Sequence, residues 1–313
     1  MKKPIEDKAI DCLGIGLAAL DRIMLVERYP RSNEKTEAID FRICGGGPVA
    51  NAMVVLAELG MKTAFCGLLG EDEAGEIILQ EFAEAGVDTS AVIRRKDFRT
   101  PEGYIWVDKT TAERTVVLNR RKERSLTASD LPLTMLKKCR YLLMDGRDIE
   151  ANLSAGKAAH EAGGKVVYDL GSIRPRMEEL IASADIIITT ARFIGDYYPQ
   201  ASLENGLETL YQCGLEMAAL TMDQYGCVWR SASGLHYTPA MQVQAIDTTG
   251  AGDVFHGAFI YGQLKGWNPR RTVEFASAAA AITCEILGGR GAVKSEKQVW
   301  ARARSTKGFI PKY

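Results

Sequence analysis

Short apolar runs alternate with amphipathic ones along most of this chain, and that alternation limits the fold more than any other feature. "AIDCLGIG", "KTAFCGLLG", "YLLMDG", "KVVYDLG" and "DIIITT" read as buried strands, and "EMAALTMD" and "CVWRSASGLHYTPA" continue the series. Between them "PVANAMVVLAELG", "EAGEIILQEFAEAG", "AGKAAHEAGG" and "MEELIASA" carry helical spacing. Two longer helices, "GDVFHGAFIYGQLKG" and "RRTVEFASAAAAITCEILGG", follow. Strand and helix in alternation imply an α/β fold, a mainly parallel sheet with helices on both faces. At 313 residues the chain suffices for one large α/β domain, or for a domain with a small appendage.

Two segments break the pattern. Residues 21–44 and 100–119 alternate polar and apolar side chains with turn residues between, which predicts short antiparallel strands with one wet face. Both interrupt the α/β series, so they are expected to meet as a small β lid beside a core made of 1–20, 45–99 and 120–313. No low-complexity tract or internal period is present.

Composition excludes several functions. The formal net charge is −1, so no global field recruits nucleic acid or an anionic membrane. The local run "NRRKER" reads as a solvated connection. Seven cysteines show no C-x-x-C spacing and several sit among apolar neighbours, the pattern of reduced, packed thiols. Charges interrupt "MKKPIEDKAIDCLGIG", which argues against a signal peptide, and no stretch approaches a membrane span. A cytoplasmic location is the expectation.

The chemistry concentrates in "IDTTGAGDVFHG". Asp253 follows Gly250, Ala251 and Gly252 at the predicted start of a helix. An acid there can be a cap that complements the helix dipole. The same glycine-rich turn also offers backbone N–H groups to an anion, and a fixed base beside an anion site suits phosphoryl transfer. No P-loop motif occurs. "GIGLAA" matches a dinucleotide fingerprint, but the residues after it read as strand where that motif needs a helix. Three histidines show no metal spacing, and no G-x-S-x-G elbow exists. A second glycine cluster, "GGGPVANAM", leads into a helix and offers close backbone approach plus the amide of Asn51, which suits either a polyol site or a tight turn with a helix cap.

Together these pieces resemble the ribokinase-like, PfkB-type carbohydrate kinases over nearly the whole chain. The resemblance rests on "GGGPVANAMVVLAELG" and "DTTGAGDVFHGAF", two signatures in the family's order. It implies a ribokinase-like three-layer sandwich with a β lid. It also implies an ATP- and Mg²⁺-dependent kinase acting on a sugar hydroxyl. Asp253 then matches the base and Gly250, Ala251 and Gly252 the anion hole. Asp21 matches the acid that grips sugar hydroxyls, with Gly46, Gly47 and Asn51. Thr221 to Gly226 and Ser277 fall where the family holds ATP. Asp247 and Thr249 match a monovalent-cation (K⁺) site of some members. Two departures stand out: Asp223 replaces the usual glycine of T-x-G-x-x-G, and "TARF" at 190–193 replaces the N-x-x-E motif that helps place Mg²⁺.

The motifs are most similar to the sulfofructose-kinase and ketohexokinase-like branches. In the former a lysine, an asparagine and an arginine hold a sulfonate, and Lys35, Asn119 and Arg147 occupy matching positions. The expected substrate is a ketose such as fructose or 6-deoxy-6-sulfofructose, and a homodimer through the lid is expected. The alternatives are a relative acting on another sugar or a nucleoside, a catalytically silent sugar-binding regulator, and a dinucleotide oxidoreductase.

Overall fold

Successive residues of the central strands point into two different apolar layers, which is why those strands are apolar throughout. Tyr141 and Leu143 join one buried cluster, Leu142 and Met144 the other. The computed structural model describes residues 8–120 and 125–305. The run "RKER" at 121–124 and the first seven residues, both interpreted above, lie outside the described residues.

In chain order β1 (Ile10–Ile15) is followed by β2 (Ala19–Val26) and β3 (Asp40–Gly46). Next come α1 (Pro48–Glu58), β4 (Thr63–Cys66), β5 (Leu68–Gly70), α2 (Glu73–Ala85) and β6 (Ile93–Arg95). A second hairpin, β7 (Glu102–Asp108) and β8 (Arg114–Asn119), precedes α3 (Leu133–Leu136), β9 (Cys139–Met144) and α4 (Ile149–Glu161). Then follow β10 (Lys165–Leu170), α5 (Met177–Ala182), β11 (Ile186–Thr190), α6 (Ala191–Tyr197), α7 (Leu203–Tyr211) and β12 (Met217–Thr221). The series ends with β13 (Cys227–Ser231), β14 (Gly234–Thr238), α8 (Ala251–Leu264), α9 (Pro269–Thr283) and α10 (Glu296–Ser305).

The main sheet has the order β14-β13-β12-β11-β10-β9-β1-β4. From β4 to β12 every pair is parallel, and β13 and β14 close one edge antiparallel. One face packs on α1, α2, α8 and α9; the other packs on α4 to α7. All seven cysteines are free, and among the described residues no helix is long and apolar enough to cross a membrane.

The two excursions form a separate sheet of order β3-β2-β7-β8. It differs from the expected antiparallel arrangement in one pair: β2 and β7 run parallel, joining two antiparallel hairpins. Each hairpin leaves the α/β layer by its inner strand, so the inner strands point the same way. The sequence pattern also misses α6, α7 and α10. Helix α10 buries only Val299 and so has no apolar stripe to read.

Candidate active site

Asp253 stands in the first turn of α8, behind Gly250, whose φ of 76° is left-handed. A Cβ at Gly250 would strain that conformation and come within 3.0 Å of the Gly289 Cα. The N–H groups of Gly252 and Asp253 have no acceptor within the helix. Nothing lies within 4 Å of where a Gly252 side chain would begin. Free donors, open space and the positive end of a helix dipole together suit an anion.

Helix α8 is buried almost all round, so it lies between α1 and α9. At Gly257 the crossing with α1 is so close that a Cβ would sit 2.7 Å from the Ala52 carbonyl oxygen. One turn earlier, Asn51 Nδ2 donates a 2.7 Å hydrogen bond to Asp253 Oδ2. Behind the loop the fully buried Asp247 accepts N–H bonds from Thr249 and Gly288, both 2.8 Å. The Thr249 hydroxyl is buried without a partner among the described residues.

Asp21 lies on β2, opposite Cys44 of β3 and Gly103 of β7. A Cβ at Gly46 or at Gly103 would overlap its carboxylate. Burial first, and then the charge of Asp253, push its pKa up to about 7; Arg290 and Arg114 pull it down. The three glycines before α1 have separate reasons. Gly45 makes room for the Arg290 guanidinium, Gly46 for Asp21, and Gly47 turns at φ 101° where a side chain would strike the Leu17 carbonyl.

Arg290 was not anticipated. It is 5% exposed and donates from Nε to Asn51 Oδ1 at 3.0 Å and from Nη1 to Glu81 Oε2 at 2.8 Å. Arg114, also missed, donates from β8 to the Thr248 hydroxyl at 2.9 Å and so ties the small sheet to the loop ahead of α8.

A third group of charges gathers at the C-terminal ends of β9 and β10, the end of a parallel sheet where ligands bind. Asp145, 3% exposed, accepts bonds from the Leu17 N–H at 2.9 Å and from Arg147 Nε at 3.1 Å. Arg174 lies against Gly146, and its Nε is buried with no partner among the described residues. Burial, and then the charge of Arg147, lower the pKa of both Arg120 and Arg174. Asp169 has its pKa raised by burial and feels the charges of His256, Asp253, Asp145 and Arg147, so it stands between the start of α8 and this cluster. Its Oδ1 is 3.6 Å from His256 Nε2.

The family description "pfkB family carbohydrate kinase" matches residues 9–295. The chain belongs to that family. This carbohydrate kinase is similar to the ketohexokinase of Mus musculus, 23% identical over 92% of this chain and 100% of the relative. Among solved structures it is similar to the ribokinase of Thermotoga maritima (TM-score 0.81, 24% identity, 94% and 99% of the two chains). It also resembles an Arabidopsis thaliana ribokinase complexed with ribose and ATP (TM-score 0.81, 23% identity, 95% and 99%). The fold is the ribokinase-like α/β fold, and the enzyme class is phosphotransfer to an alcohol acceptor.

In the kinase the other expected residues are distributed as follows. Thr221 ends β12 and donates its hydroxyl proton to the Thr189 carbonyl at 3.0 Å. Asp223, the residue standing for the usual glycine, takes φ 49°, a left-handed conformation that aspartate tolerates better than most side chains. Gly226 has φ 94° and Ser277 is buried in α9. Thr190 caps α6, its hydroxyl accepting the Phe193 N–H at 3.2 Å, so a cap stands at the asparagine position of N-x-x-E and buried Phe193 at its glutamate position. Lys35 is exposed between β2 and β3, Asn119 is exposed at the end of β8, and Arg147 pairs with Asp145. Gly16 to Ala18 lead into a strand, which removes the dinucleotide reading.

Proposed function

We propose that this kinase transfers the γ-phosphate of ATP to a hydroxyl of a small ketose, with Asp253 as general base. The observation that carries the proposal is the placement of the Asp253 carboxylate. It lies at a helix start, where N–H groups lack acceptors within the helix, and its charge acts on a second, half-buried carboxylate, Asp21. Asp21 and Asn51, with Gly46 and Gly47 giving room, hold the sugar hydroxyls. Asp253 takes the proton as the oxygen attacks, and the loop of Gly250, Ala251 and Gly252 stabilises the charge that develops. The nucleotide lies along Thr221, Gly226 and Ser277. Mg²⁺ would neutralise phosphate charge when bound with the nucleotide. A K⁺ ion beside Asp247 would give the orphaned Thr249 hydroxyl a partner.

The small sheet, residues 21–44 and 100–119, is read as a lid that excludes water during transfer. The arginines around Asp145 support a finer reading, in which the sugar carries an anion at the end remote from the attacking hydroxyl. Arg147 would hold it, with Arg120 and Arg174 beside it and Lys35 and Asn119 reaching from the lid.

The test is ADP release with Mg-ATP across ketoses, sulfo- and phosphosugars, aldoses and nucleosides, for wild type and Asp253→Asn. A ketose should stimulate turnover, and the variant should lose roughly 10²-fold or more while still binding ATP. Preference for an aldose or nucleoside would move the substrate, and silence toward every acceptor would leave a sugar-binding regulator. Near-normal turnover in a folded variant would return Asp253 to the role of helix cap.

A further inference from the structure

Resting on that reading of Asp253, we infer that Arg290 is a positioning residue for the base, acting through Asn51. Three helices and the connection after α9, distant in sequence, meet in one line of bonds. Glu81 of α2 accepts from Arg290 at 2.8 Å, Arg290 donates to Asn51 of α1 at 3.0 Å, and Asn51 donates to Asp253 of α8 at 2.7 Å. An asparagine amide can face either way, and its neighbours decide which. Arginine has donors only, so the Asn51 atom facing Nε is the oxygen, and the NH₂ must face Asp253. Asn51 then engages Oδ2 and leaves Oδ1 for the proton of the substrate hydroxyl.

The surroundings suit a precise placement better than a plain ion pair. The Glu81 Oε2 that holds Arg290 also accepts the Gly45 N–H at 2.8 Å. The guanidinium lies 5.3 Å from the centre of the Phe82 ring. Its Nη2 faces the carbonyl of Gly46 at 3.5 Å, and Gly45 carries no side chain that could displace it. A pair with Glu81 alone would need neither the Nε bond to Asn51 nor burial in the sugar groove. Each of these contacts restricts the planar fork, and the fork restricts the amide.

Arg290→Met alone would strand the Glu81 carboxylate, so the decisive variant is the double change Arg290→Met with Glu81→Leu, beside Arg290→Lys. Steady-state kcat and KM are measured with Mg-ATP and the best acceptor of the panel, with thermal unfolding as a control. The double variant should fold, keep its KM for ATP within about 2-fold, and lose kcat by roughly 10-fold or more, the scale of a misplaced catalytic group. Arg290→Lys, which keeps one donor, should recover part of that loss. In the Asp253→Asn background the same changes should cost nothing further, because an absent base cannot be misplaced. An unchanged kcat in the folded double variant, or a loss that adds in full on top of Asp253→Asn, would overturn the inference. A wild type without sugar-dependent turnover would overturn the reading of Asp253 itself, and this inference with it.

Discussion

Asp21 from strand β2 and Asp253 from helix α8 lie close together, and the charge of Asp253 is the largest cause after burial of a pKa of about 7 at Asp21. Neither carboxylate is free to relax away. Asp21 is confined by Gly46 and Gly103, and Asp253 is held by Asn51. The groove thus keeps two acids close while Arg290 and Arg114 partly offset their repulsion. In the proposed reading, a sugar offering several hydroxyl donors would satisfy both.

The pH dependence follows from the raised pKa. On the proposed role, ionised Asp21 would accept sugar hydroxyls and protonated Asp21 would do so poorly, so kcat/KM for the sugar should fall about tenfold per pH unit below about 7. Asp21→Asn should lower kcat/KM and flatten that limb. Stability runs the other way. The unfolded carboxyl ionises near 3.8 and the folded one near 7, so the native state binds the extra proton between those values and loses stability as pH rises through them. Thermal unfolding at pH 5 and pH 8 should show Asp21→Asn gaining on wild type at the higher pH. A pH-independent difference would mean that Asp21 titrates normally.

Gly46→Ala isolates the sugar grip from the nucleotide. Its Cβ would overlap Asp21 Oδ2, so the carboxylate must swing out of the groove. The sugar KM should rise by roughly 10-fold or more, the size expected when a built polar contact is lost, with the KM for ATP little changed. Titration of ATP by fluorescence alongside steady-state kinetics separates the two. Equal loss of both affinities would point to a collapsed loop instead.

The sequence carried the fold wherever burial is periodic. Strands buried on both faces and helices with apolar stripes stand close to where the pattern puts them, and so does the glycine turn ahead of Asp253. What stayed hidden depends on contacts between distant residues. Arg290 lies in "GGRG", where the glycines draw attention to the backbone, and nothing local says that its side chain threads past Gly45 to Asn51. Arg120 and Arg174 belong to polar connections and become informative only when the strand ends bring them beside Arg147. The parallel pairing of β2 with β7 was illegible for the same reason, since each hairpin alone is antiparallel.

The outer strands of the small sheet predict self-association. Phe41, Ile43, Val116, Val117 and Leu118 are exposed on β3 and β8, with Phe41 at 51% and Val117 at 54%. Exposed apolar side chains on edge strands invite a partner, and a second copy of the same sheet offers such edges. Sedimentation velocity at micromolar concentration should report a dimer, and Phe41→Lys with Val117→Lys should shift it to monomer. A monomeric wild type would assign these residues to lid closure alone.

The arginine cluster gives the sharpest substrate prediction. Arg147 already has Asp145, but Arg174 Nε is buried without a partner among the described residues, and both Arg120 and Arg174 are made more acidic by burial and by the charge of Arg147. Three guanidinium groups held together cost free energy in an empty groove, and a phosphate or sulfonate offers the paired acceptors that would offset it. The kinase should therefore prefer fructose 6-phosphate or 6-deoxy-6-sulfofructose to fructose in kcat/KM. Arg174→Ala tests this more cleanly because it breaks no ion pair seen among the described residues, whereas Arg147→Ala removes the ion-pair partner of Asp145. A charge-assisted hydrogen bond is worth about 1.5–3 kcal/mol, so Arg174→Ala should cut the preference by roughly 10- to 150-fold while leaving turnover of plain fructose near its original value. The phosphate and sulfonate arms then separate a dianion from a monoanion, with the more highly charged group losing more when Arg120 is also removed. Equal use of fructose by wild type would dissolve the anion site and leave the three arginines as counter-charges for Asp145, Asp148 and Asp169.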